Sequence, residues 1–87
     1  DTLLARLKSG VVVLGRRDEG KAGVIVRVSD DLKDKVKAGN VIKEIVPILG
    51  GKGGGRPDMA EGGGPETERL GEAVEASYKV IENFLAA

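Results

Sequence analysis

Lys52 and Arg56 are the residues of this sequence whose types and spacing best suit chemistry with an anion. They flank Gly53, Gly54 and Gly55, so two cations and a run of bare peptide groups fall within five residues. Glycine lets backbone approach a ligand closely, and successive exposed N–H groups form concavities that take anions. The peptide planes of Gly53 to Gly55 also suit flat contact with a base pair or a ribose. The run belongs to a longer stretch, Gly50 to Gly64 (GGKGGGRPDMAEGGG), in which glycine is more than half of the residues and Ser, Thr and Asn are absent. A flexible hinge would normally contain those polar residues. Pro57, Met59 and Ala60 are poor linker residues, so the stretch is expected to be ordered, with a short strand near Met59. A disordered hinge carrying two incidental cations is the competing reading. Arg16, Arg17 and Lys21 form a second cluster, offset by Asp18 and Glu19. It suits a phosphate contact or a solvated charged turn equally well.

Nucleotide-loop motifs do not account for the glycines. A phosphate loop needs G-x-x-x-x-G-K-[ST] between a strand and a helix. Here Lys52 is followed by Gly53, and helical residues lead in. A dinucleotide G-x-G-x-x-G pattern begun at Gly51 requires glycine where Arg56 stands. Composition excludes more. The chain has no cysteine and no histidine, so disulfides, thiol chemistry, Cys/His zinc sites and histidine triads are ruled out. No metal site and no catalytic residue is expected. Asp58 and Glu61 are an acid pair without a base or nucleophile, and Asp30, Asp31 and Asp34 are placed to cap a helix. Lys and Arg number 14 against 14 Asp and Glu, so any attraction to nucleic acid must come from local clustering. With Tyr78 and Phe84 as the aromatic residues, single-strand reading by aromatic stacking is excluded as well. No apolar run is long enough to span a bilayer. No membrane partner is expected, and the absence of cysteine fits a cytoplasmic location.

The elements that must position these residues follow from periodicity. Leu3, Leu4 and Leu7 share a helical face in Asp1 to Lys8, with Ser9-Gly10 as a stop, so the chain is expected to begin as the tail of a helix within a longer protein. Val11 to Leu14 and Val24 to Val28 are β-branched strands, joined as a hairpin through a charged turn from Gly15 to Gly23. Val24, Val26 and Val28 lie on one face of the second strand, with Ile25 and Arg27 on the other. A helix is expected from near Leu32, interrupted at Gly39-Asn40, and another over Val41 to Leu49 that Pro47 kinks or ends early and Gly50 caps. A short third strand is expected over Asp58 to Gly62. From Pro65 onward, Leu70, Val74, Tyr78, Ile81 and Leu85 recur on one face of a long helix. At 87 residues this is one small α/β (α+β) domain, a short sheet with three or four helices packed on it in two layers.

Gly51 to Ala60 (GKGGGRPDMA), followed by Gly62-Gly63, resembles the signature of the C-terminal domain of alanyl-tRNA synthetases, a DHH-associated domain. VVVLG, GVIVRVS and the segment through Lys37-Ala38-Gly39 and Ile42 match in order, so the resemblance covers essentially the whole chain. DHH-superfamily phosphoesterases carry related domains, typically with histidine directly after the glycine run; Arg56 stands there, which favours the synthetase branch. The resemblance implies a tRNA-binding module that docks on the elbow of alanine tRNA and links the aminoacylation and editing domains of a parent ligase. Lys52, Gly53, Gly54, Gly55 and Arg56 are then the expected tRNA contacts, with Arg16, Arg17 and Lys21 as an outer cluster. ATP, magnesium and zinc belong to other domains of such a parent, and no cofactor is implied for this chain. The alternatives are an accessory lobe holding nucleic acid for a DHH-type phosphoesterase, and an oligomerisation module using the last helix.

Overall fold

The computed structural model describes residues 2–7 and 10–86. Five antiparallel strands form one sheet: β1 (Thr2–Leu7), β2 (Val11–Asp18), β3 (Lys21–Val28), β4 (Lys52–Gly55) and β5 (Met59–Gly64). Their order across the sheet is β1-β2-β3-β5-β4. Helix α1 (Ala38–Leu49) crosses from β3 to β4, and α2 (Leu70–Ala86) follows a 3-10 turn over Thr67–Arg69. Both helices lie on the same face of the sheet, α1 over β3, β4 and β5 and α2 over β2 and against α1. The expected two-layer α+β architecture is what forms.

Alternation along the strands builds the core. Val11 and Val13 of β2, and Ala22, Val24, Val26 and Val28 of β3, are buried beneath the helices. Helix α1 returns Val41, Ile42, Ile45, Val46 and Leu49 to them, at the three- and four-residue steps of one helical face. Helix α2 contributes Leu70, Ala73, Val74 and Ile81, while Tyr78, Phe84 and Leu85 pack half-buried against the same cluster. Each fully buried Val, Leu or Ile contributes about 1.5–3 kcal/mol. Ser77 is the buried polar side chain among the described residues, and its hydroxyl donates to the Val74 carbonyl at 2.5 Å.

Several local expectations are overturned. Residues 2–7 are a strand paired with β2 from Thr2↔Arg16 to Leu7↔Val11, not the end of a helix. Asp1, Lys8 and Ser9, the remaining residues of that expected helix and its stop, lie outside the described residues. The turn between β2 and β3 is only Glu19-Gly20, because both strands run on through the charged residues until Asp18 faces Lys21. No helix begins at Leu32; residues 30–35 make tight turns in which Val36 N–H donates to the Leu32 carbonyl at 2.9 Å. The Ser29 hydroxyl bonds the Asp31 carboxylate rather than capping a helix. Gly39 and Asn40 interrupt nothing, since they stand in the first turn of α1. Pro47 is tolerated within α1, which ends two residues later at Leu49 and is capped by Gly50. That glycine has φ 71°, and its N–H donates to the Pro47 and Val46 carbonyls, the left-handed cap expected of it. The Met59 strand forms as expected and acquires a partner not foreseen, the glycine strand β4. Among the described residues, no helix is long and apolar enough to cross a membrane.

Candidate nucleic-acid interface

One face of the sheet is roofed by helices; the other is open. Strand alternation sends Val12, Leu14 and Arg16 of β2, Gly23, Ile25 and Arg27 of β3, Met59, Glu61 and Gly63 of β5, and Lys52 and Gly54 of β4 to the open side. The register arranges them in rows. Arg16, Gly23, Gly63 and Lys52 stand in line across four strands, as do Leu14, Ile25, Glu61 and Gly54 in the next row. Two cations about 14 Å apart, three strand spacings of roughly 4.8 Å, thus bracket a floor of two glycines. Arg16, Arg27 and Lys52 are exposed, and Glu61 is the acid among them. Among the described side chains, this face of a chain with balanced charge therefore carries a positive surplus.

The glycines of the expected site divide into two roles. Gly53 and Gly62 lie under α1. A Cβ on Gly53 would come within 2.8 Å of the Ile42 side chain and 2.7 Å of the Glu61 carbonyl, and one on Gly62 would come within 2.5 Å of Val46. Their bare backbone admits the helix. Gly55 likewise backs on Ala60 of β5. Gly54 differs, because nothing lies within 4 Å of where its Cβ would stand. Gly23 is nearly as free, with the Gly62 carbonyl at 3.8 Å as its nearest neighbour. Gly54 and Gly23, not the whole run, present open backbone outward; at Gly63, on the same face, a Cβ would clash with the Ala22 carbonyl oxygen.

The cations separate in the same way. Lys52 joins Arg16 on the open face. Lys21 is exposed beside the Glu19-Gly20 turn, at the end of β3 nearest that turn. Arg56 lies just past the end of β4, four positions on from Lys52 and about 13 Å away, where it pairs with Asp58 at 3.5 Å. Its turn is fixed on three sides. Arg56 N–H donates to the Met59 carbonyl, Ala38 N–H to the Pro57 carbonyl and Val28 N–H to the Asp58 carbonyl, all at 2.8–2.9 Å. Around it Lys33 and Lys37, which periodicity had not singled out, line a hollow of about 320 Å³ with Asp34, Pro57 and Asp58. Lys33 is itself paired with Asp30 at 3.6 Å.

Arg17 stands apart from the open face. It faces the helix side, where its Nε donates to the Thr67 carbonyl at 3.1 Å and ties β2 to the turn that starts α2. Arg17→Ala is expected to lower stability by about 1–2 kcal/mol and to leave nucleic-acid affinity unchanged. Paired urea titrations and binding isotherms read both effects, and an affinity loss at undiminished stability would put Arg17 back in the interface.

Comparison with known proteins gives this architecture its relatives. The family model described as the DHHA1 domain matches residues 1–83. The chain is 51% identical over 81 residues to an alanine–tRNA ligase of Desulfosudis oleivorans, covering 93% of this chain and 9% of that protein. It is 45% identical over 86 residues to the alanine–tRNA ligase of Pelotomaculum thermopropionicum, covering 98% of this chain and 10% of that one. The chain therefore spans about a tenth of the length of the curated relatives it matches. Among solved structures, the C-Ala domain from Aquifex aeolicus alanyl-tRNA synthetase superposes with a TM-score of 0.78 at 38% identity, covering 87% of this chain and 68% of that one.

Proposed function

The chain belongs to the DHHA1 domain family, in the branch of the C-Ala domains of alanyl-tRNA synthetases, and from that membership we propose that it is a tRNA-binding module. The observation that carries the proposal is the open sheet face, where Arg16 and Lys52 bracket the bare floor of Gly23 and Gly63. Phosphates bind to exposed cations, and a glycine floor lets a nucleic-acid backbone lie close to the peptide planes. Arg27 and Lys21 extend the positive field beyond this row. Gly54 beside Lys52 supplies the close approach, and Arg56 just past the far end of β4 forms an outer contact. The target is the elbow of alanine tRNA. The parent is an ATP-dependent alanine–tRNA ligase in the cytoplasm, whose activation and editing chemistry resides in other domains that this module helps bring onto one tRNA.

The test is the salt dependence of tRNA binding. Each phosphate contact adds about 0.9 to the slope of log affinity against log salt for a duplex-like target. Replacing both Arg16 and Lys52 by Ala should therefore flatten the slope by about 1.8 and weaken binding roughly 30-fold at 0.15 M salt. Arg56→Ala should remove about half of that slope change at most. An unaltered slope in the double variant, with its circular dichroism intact, would falsify the placement of tRNA on the open face.

A further inference from the structure

Between the two rows of the open face lies a hollow of about 440 Å³, lined by Leu14, Arg16, Gly23, Ile25, Glu61 and Gly62. It exists because Gly23 has no side chain; Leu14 and Ile25 form its apolar wall, Arg16 stands at one rim and Glu61 at the other. Glu61 is the anomaly. It is an exposed carboxylate set among Arg16, Arg27 and Lys52 on a face otherwise suited to phosphate, and it forms no ion pair or hydrogen bond among the described residues. Its diagonal neighbours across the strands are Arg27 and Lys52, about 7–8 Å away in such a register. An acid at that position weakens phosphate binding, so its use must lie with a partner that donates.

We propose that this hollow receives one unpaired guanine of a bound RNA, its Watson–Crick edge donating to the Glu61 carboxylate. The proposal rests on the tRNA-binding assignment and adds a base-reading subsite to it. An ionised carboxylate is an acceptor only, with two oxygens able to take two parallel donors. Guanine offers two adjacent donors on that edge, N1–H and the N2 amino group, whereas adenine, cytosine and uracil each offer one. RNA is read by sequence mainly where bases are unstacked and splayed out. Aromatic stacking is absent from this face, so Leu14 and Ile25 cover the base by apolar contact instead. The phosphates flanking the base then fall toward Arg16 on one side and Lys52 on the other, which unites the hollow with the glycine-floored row. The occupant is a polynucleotide rather than a free nucleotide, because those two cations serve a chain that continues past the base in both directions.

The experiment uses the full 87-residue chain with tRNA, with the RNA pentamers UUGUU, UUAUU, UUUUU and an inosine-centred UUIUU, and with GMP alone. UUGUU should bind about tenfold tighter than UUAUU or UUUUU, in the range a bidentate base contact confers. UUIUU, which keeps N1–H and lacks the N2 amino group, should fall between them. Glu61→Gln replaces one acceptor oxygen by a donor and should narrow the guanine preference to within about twofold. Gly23→Val fills the hollow and should abolish the preference too, in a chain that still folds, since nothing lies closer than 3.8 Å to a Cβ at that position. GMP should compete far more weakly than UUGUU; GMP binding as tight as the pentamer overturns the assignment to RNA. Binding of tRNA with equal affinities for all four pentamers, or a preference that survives Glu61→Gln, overturns the guanine site alone and leaves Leu14 and Ile25 as cover for a protein neighbour. Failure to bind tRNA at all overturns the proposed function along with it.

Discussion

Gly51→Ala is expected to lower the stability of this chain by more than about 3 kcal/mol, whereas Gly54→Ala, three residues further on, changes it by less than about 0.5 kcal/mol. The contrast follows from what each new methyl group meets. At Gly51 a Cβ would overlap the Gly63 carbonyl oxygen and stand 2.5 Å from the Gly63 carbonyl carbon and 2.6 Å from Gly64 Cα. All three are backbone atoms, so no side-chain rotation relieves the clash. They belong to β5, which is held by pairing to β3 on one side and β4 on the other. Retreat therefore means breaking ladder hydrogen bonds. A domain of this length is stable by roughly 4–13 kcal/mol, so the loss is a large share of the whole. Urea unfolding reads the result as a lowered midpoint at unchanged slope. Equal effects at the two positions would mean that these glycines act through unfolded-chain entropy, not through close packing.

Gly54→Val is expected to weaken tRNA binding at least tenfold, about 1.4 kcal/mol, while leaving the fold intact and the salt slope nearly unchanged. The position is open, and valine suits extended backbone better than glycine does. What changes is the surface, where a branched side chain rises beside Lys52 and holds a nucleic-acid backbone away from the peptide planes. No cation is lost, so counterion release is preserved. The signature differs from that of the paired Arg16 and Lys52 replacement, which flattens the slope. Binding isotherms at several salt concentrations, with circular dichroism on the same samples, separate the two. Wild-type affinity in a folded Gly54→Val chain would move the contact off β4.

The parts of the fold legible in the sequence are those where local pattern and tertiary environment agree. Val11 to Leu14 and Val24 to Val28 are β-branched and buried on one side, and the Leu70 to Leu85 stripe matches the core face of α2. Gly50 follows its helix as a left-handed cap should. Where the two conflict, the environment prevails. Leu3, Leu4 and Leu7 fit a helical stripe, yet the free edge of β2 draws residues 2–7 into the sheet. Ser29, Asp30 and Asp31 are good caps, but capping chemistry serves turns equally well, and here it does. KGGG has no strand propensity at all; β4 is a strand because β5 offers it a ladder and α1 offers it a lid that only glycine admits. The candidate site was legible in Lys52, Gly54 and Arg16 but not in how they combine. That needs the register linking four strands, which no local spacing encodes. Arg27 and Ile25 were readable as the outer side of β3, though not as neighbours of Glu61.

The strand order also fixes a sequence of events in time. Asp18 and Lys21 meet across a two-residue turn, a closure that a chain makes quickly. Val26 and Ala60 are 34 positions apart (60 minus 26), and closing so long a loop carries a larger entropic cost and slows assembly. The β2–β3 hairpin is therefore expected to form early, and the glycine hairpin to dock on it afterwards. Arg16 stands on the early side of that seam and Lys52 on the late side. No partly assembled chain holds both at their native separation, so on the proposed face affinity for RNA would serve as a gauge of completed folding.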